Sequence, residues 1–146
     1  ISGSSAPLWL TFIVLGRLMV KKPGSAGIVG ASMAMWGIPL GLNHAFGYNL
    51  GLYAGTGIAV DILASLPFVK VRHVLGAIAG GMAAHMVKFG FILYAALATS
   101  AAKRFIISGI AKSAGQHLLF GAASGLLAWA LYWGARRVYN GIKKSS

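Results

Sequence analysis

Five apolar stretches dominate the chain. They run over about 8–20, 25–42, 48–68, 74–98 and 117–135, with short polar or basic segments between them. A bilayer span takes roughly 20 mostly apolar residues. Inside a bilayer only helices and closed barrels satisfy every backbone N–H and C=O. The period-2 alternation of a barrel strand is absent, so each stretch reads as a helix. The expected fold is an all-α integral membrane protein, a single domain over 1–146 built as a bundle of about five transmembrane helices. Charged residues make up 10% of the chain, against about a quarter in soluble domains. Pro23-Gly24 predicts a tight corner before the second stretch, and Pro39 kinks or ends that stretch.

The net charge is +12, with Asp61 the only acidic residue. In a soluble domain this balance would point to nucleic acid. Here the cations sit at the ends of apolar runs, which points to membrane lipids as partners and away from nucleic acid. Lys21, Lys22, Lys70, Arg72 and the tail from Arg136 to Lys144 follow the first, third and fifth stretches, whereas Asn43 to Asn49 carries no Lys or Arg. The expectation is a multi-pass protein of the cell membrane with a cytoplasmic C-terminus. Lys103, Arg104 and Lys112 oppose that pattern, and with Phe105, Ile106, Ile107 and Ile110 they predict an amphipathic helix in the interface. An out-to-in first span also implies, for a bundle with both termini inside, one further helix ahead of Ile1 and six in all.

An ionisable group inside a span is costly and marks function or a structural pair. Asp61 is therefore either a ligand, proton or ion site, or one half of a buried ion pair. Lys88 in the fourth stretch, with His85 one turn before it, is the expected partner: the structural pair is Asp61–Lys88. Asn43, His44 and Tyr48, with Trp36 two turns upstream, predict an aromatic, polar mouth suited to a small heterocyclic ligand, or else an ordinary interfacial belt. Trp129, Tyr132 and Trp133 read as belt residues. Small residues four apart, such as Gly121 and Gly125, favour close helix packing. One carboxylate makes no acid/base pair, the four His share no metal-binding helix face, and there is no Cys, so neither catalysis, a metal nor a cofactor is expected.

The run GRLMVKKPGSAGIVG (Gly16 to Gly30), followed by GLYAGTGIAVDIL (Gly51 to Leu63) and FVKVR (Phe68 to Arg72), resembles the substrate-binding S component of energy-coupling-factor vitamin transporters. It is most similar to the branch for thiamine and its hydroxymethylpyrimidine precursor. That branch has a basic-Pro-Gly-Ala corner, matched by Lys21 to Ala26, and a Gly-rich helix with one carboxylate, matched by Gly55, Gly57 and Asp61. The family usually carries Glu where this chain has Asp61. The resemblance implies six helices, a vitamin or vitamin-precursor pocket near the outer face, no ATPase activity in this chain, and coupling-scaffold and ATPase partners. Asp61 would anchor the ligand, with Asn43, Trp36, His44 and Tyr48 at the mouth. The alternative is an accessory structural subunit of a larger membrane complex of respiratory or monooxygenase type, whose neighbours match its excess cations.

Overall fold

The computed structural model describes residues 6–37, 46–98 and 109–145. Among these, all regular structure is helical: α1 (Ala6–Met19), α2 (Ser25–Gly37), α3 (Phe46–Ser65), α4 (Val74–Ala98) and α5 (Ile110–Ser145). The fourth predicted stretch and α4 coincide. The fifth underestimated its helix, because α5 continues in both directions through polar residues that carry no hydropathy signal. Ile110 and Lys112, assigned from sequence to an interfacial helix, belong to α5. The rest of that segment, like Pro39, Asn43 and His44, lies outside the described residues.

The Pro23-Gly24 corner is a tight turn. Ser25 N donates to Lys22 O at 3.3 Å, and Gly24 takes φ +88°. Pro supplies the fixed φ of the second turn position and Gly the positive φ of the third, as a type II turn requires. The turn aims α2 back along α1.

α1 runs through the middle of the bundle. Leu10, Ile13, Val14 and Leu18 are fully buried and join Ala26, Val60, Ala84 and Ala128 from the other four helices in one core. Around it, α2–α3, α3–α4 and α4–α5 pack as consecutive pairs. Their register is antiparallel: Gly27 meets Ile58 and Gly30 meets Tyr53, Gly51 meets Phe91 and Gly80 meets Val60, and Gly81 meets Gly121 while Ala77 meets Gly125. One end therefore gathers the end of α1, the start of α2, the end of α3 and the start of α4. It carries Arg17, Lys21, Lys22, Lys70 and Arg72, and α5 leaves the bundle past it with its own basic tail. We call it the basic end.

Among the described residues, two helices are long and apolar enough to cross a membrane: Val74–Ala95 in α4 and Ile110–Lys144 in α5. Large apolar side chains stand exposed on them, among them Leu75, Tyr94, Leu119 and Phe120.

Close backbone approach between α4 and α5 makes a direct test. A Cβ at Gly121 would sit 2.7 Å from both the Gly81 carbonyl oxygen and Met82 Cα. That is backbone against backbone, with no side chain to swing aside. Gly121→Val should destabilise the protein by about 3 kcal/mol, the upper end of overpacking costs. Gly134, which has nothing within 4 Å of its Cβ position, should tolerate Ala with no loss and a gain of up to about 1 kcal/mol in helix propensity. Thermal unfolding in detergent reads both. Equal effects would contradict the packing.

Candidate functional site

Two polar clusters lie in the bundle, one at the basic end and one nearer its middle. The first is built around Asp61, near the end of α3. Its Oδ1 lies 3.3 Å from Arg17 Nε, and both side chains are about nine-tenths buried. Its Oδ2 accepts from the Gly27 backbone N–H at 2.9 Å. Gly27 sits in the first turn of α2, where N–H groups have no partner within the helix and the helix dipole is positive. Arg17 sits in the last turn of α1, where the dipole is negative. Each charge thus occupies the helix end that favours its sign. Arg17 Nη1 also donates to Val20 O at 3.4 Å, and Ser25 Oγ donates to the same carbonyl at 3.1 Å. Arg72 donates through Nε and Nη2 to Leu18 O at 3.3 and 3.1 Å. The otherwise unpaired carbonyls ending α1 are thereby satisfied by side chains.

The expected Asp61–Lys88 pair does not form. Asp61 lies beside Val60, which touches the Gly80 position of α4, and Lys88 is eight residues further along α4. At 1.5 Å per residue that is roughly 12 Å of axial separation. The described mouth residues also stand far from Asp61. Tyr48 stands thirteen residues before Asp61 on α3, roughly 20 Å away, packed edge-on against Phe91 at 6.1 Å. Trp36 is 71% exposed, near the end of α2 remote from Asp61. A vitamin-sized molecule cannot touch Asp61 and Tyr48 together. Asn43 and His44 lie outside the described residues.

Lys88 belongs to the second cluster. Its Nζ stands 5.5 Å from the centre of the Trp9 ring, and Trp9 packs against Tyr53 at 4.4 Å. No hydrogen bond or ion pair to Lys88 occurs among the described residues, and the chain's one acidic side chain is engaged elsewhere. One turn away, His85 is 1% exposed, its Nε2 3.3 Å from Ser124 Oγ. That hydroxyl has a single proton and lies within reach of the Pro7 and Phe120 carbonyls, at 3.1 and 2.8 Å. His85 Nε2–H is then the donor to Ser124, and its Nδ1 has no partner among the described residues. His117, with its ring centre 5.8 Å from that of His85 and 5.3 Å from that of Phe89, also has an unpartnered buried Nδ1.

The cluster therefore offers a cation, two unpartnered imidazole nitrogens and two aromatic rings, drawn from α1, α3, α4 and α5. Sequence reading singled out Lys88 and His85 and missed Trp9, Tyr53, His117 and Ser124. It also missed Arg17 as the partner of Asp61. Trp129 and Tyr132, read as belt residues, serve Arg72: the indole N–H donates to its carbonyl at 3.2 Å, and the phenol ring lies 5.3 Å under its guanidinium. Among the described residues no three His or Asp side chains converge on a metal position. No protein family matches the chain, and neither a curated protein nor a solved structure does.

A double-mutant cycle tests the pair. Asp61→Asn should cost about 3–5 kcal/mol, because it leaves Arg17 buried without its counter-charge. Arg17→Met together with Asp61→Asn should recover much of that loss, whereas Lys88→Met together with Asp61→Asn should recover none. Folded yield and thermal stability in detergent measure it. Rescue by Lys88→Met would contradict the assignment.

Proposed function

We propose that this chain is a multi-pass membrane protein that captures a small, flat, negatively charged solute inside its helix bundle, acting as the substrate-binding subunit of an uptake transporter for a vitamin or vitamin precursor. The observation that carries the reading is Lys88, an interior cation with no carboxylate of its own. A charge within a span is expensive and is normally paired. With Asp61 held by Arg17 and Gly27, the counter-charge for Lys88 comes from outside the chain. Trp9 and Tyr53 supply ring surface for a flat molecule, and His85 and His117 supply unpartnered nitrogens for its polar edge.

The membrane setting is supported by where the apolar surface lies. The most apolar window of α5 is 22% buried within the bundle and that of α4 is 39% buried, whereas an apolar helix of a soluble protein turns that surface to a core. The cations gathered at one end support placing that end, and the C-terminus, in the cytoplasm. The resemblance of Gly16 to Arg72 to vitamin-transporter S components supports the transport role, with a scaffold subunit and ATPases as its partners. At Asp61, however, the carboxylate is committed to Arg17, so this reading seats the ligand at Lys88 instead.

The competing role, an accessory subunit, shares the same clue: a carboxylate on a neighbouring subunit would also neutralise Lys88. Binding separates the two. Purified full-length protein should show quenched Trp fluorescence with a small aromatic carboxylate such as nicotinate or 4-aminobenzoate, with roughly micromolar affinity. Lys88→Met should weaken binding about 10- to 150-fold, the range for a hydrogen bond to a charged group, and Trp9→Phe should remove the quench. Trp36→Phe should leave both unchanged. No binding of any such acid, with stoichiometric co-purification of catalytic membrane subunits, would favour the accessory role.

A further inference from the structure

A cleft of about 340 Å³ opens at the basic end, lined by Arg17, Lys21, Lys70, Val71 and Arg72. Four of these five side chains are cationic, and they come from three separate segments: the last turn of α1, the turn into α2, and the turn between α3 and α4. Asp61 offsets Arg17. Lys21, Lys70 and Arg72 have no carboxylate in the chain to match them. Like charges converging on a concave surface repel one another, and an anion relieves that repulsion.

The cleft is also partly organised in advance. Arg17 is fixed by Asp61 and the Val20 carbonyl. Arg72 is fixed by two bonds to Leu18 O and by the Tyr132 ring, and those bonds leave three of its five N–H donors free. Lys21 and Lys70 are exposed, and their long stems can reach a ligand from either side. A planar guanidinium flanked by point-charge ammoniums is the donor set that takes phosphate oxygens. The cleft holds more than a bare phosphate, which leaves room for the alcohol of a phosphoester. Beside it, Met19, Val20, Phe68 and Leu75 stand exposed at the helix ends, a surface along which acyl chains could lie.

We infer that this cleft binds a phosphate group, carried either by the headgroup of an anionic phospholipid or by a free phosphate or soluble phosphoester. It is independent of the Lys88 cluster. The full-length protein would be placed in phosphatidylcholine nanodiscs with and without phosphatidylglycerol, and bound lipid counted by native mass spectrometry. Inorganic phosphate would be titrated separately, with thermal stability as the readout. K21Q/K70Q removes two exposed cations whose side chains make no hydrogen bond among the described residues, and Lys70→Gln alone serves should the double variant fail to fold. K143Q/K144Q removes the same charge from the tail. We expect K21Q/K70Q to weaken retention about tenfold or more, and K143Q/K144Q to weaken it less than about threefold. Phosphatidylglycerol that resists displacement by phosphate identifies the lipid headgroup. Stabilisation by phosphate, lost in K21Q/K70Q, identifies the soluble source. Equal losses in the two double variants, or no preference of the wild-type protein for either probe, would overturn the site.

Discussion

The chain has one carboxylate side chain, and a guanidinium holds it. Every other Lys and Arg is then left without an acidic side chain in the chain. Asp61 joins three helices at once: it sits on α3, meets Arg17 at the end of α1, and accepts from Gly27 at the start of α2. Desolvation penalises both ions, and a buried pair is seldom a large net gain in stability. What this pair supplies is placement. The two opposed helix dipoles favour it, and only one register of α1 against α2 and α3 brings the three groups together. The tight turn at Pro23-Gly24 makes that register reachable within a few residues.

With Asp61 occupied, the remaining twelve Lys and Arg residues have no acidic side chain in the chain to meet. Most of those described stand at or near the ends of helices, where water can match them. Lys88 does not. It lies on α4 against Trp9, close to two imidazoles with unpartnered nitrogens. The basic cleft and the Lys88 cluster are thus two consequences of one shortage, at different depths of the bundle. On the proposed reading, the first would take a phosphate group and the second an anion brought into the interior.

Much of this architecture was legible in the sequence. The apolar runs located the helices, Pro23-Gly24 the corner, and the lone acid the residue that organises the basic end. The partner of that acid was not legible because Arg17 lies at the edge of its apolar stretch, where a cation is ordinary, whereas Lys88 stands in the middle of one. An antiparallel α3–α4 pair turning near residue 70 already places Asp61 opposite about residue 79, well short of Lys88, so the register alone argued against the expected pair. The contacts of His85 with Ser124 and His117 were not legible. They depend on how α5 is rotated against α4, which is set by backbone approach at Gly81, Gly121 and Gly125, and a spacing of small residues does not fix that rotation. The role of Trp129 and Tyr132 beside Arg72 was hidden for a related reason: aromatic residues near a helix end look alike whether they face lipid or support an arginine.

Because Asp61 is the only aspartate, its carboxyl carbon can be observed by itself. Protein labelled with 13C at the γ position of aspartate should give one side-chain carboxyl resonance. This resonance should shift in Arg17→Met and keep its position in Lys88→Met. A shift in Lys88→Met with none in Arg17→Met would contradict the Arg17–Asp61 pair.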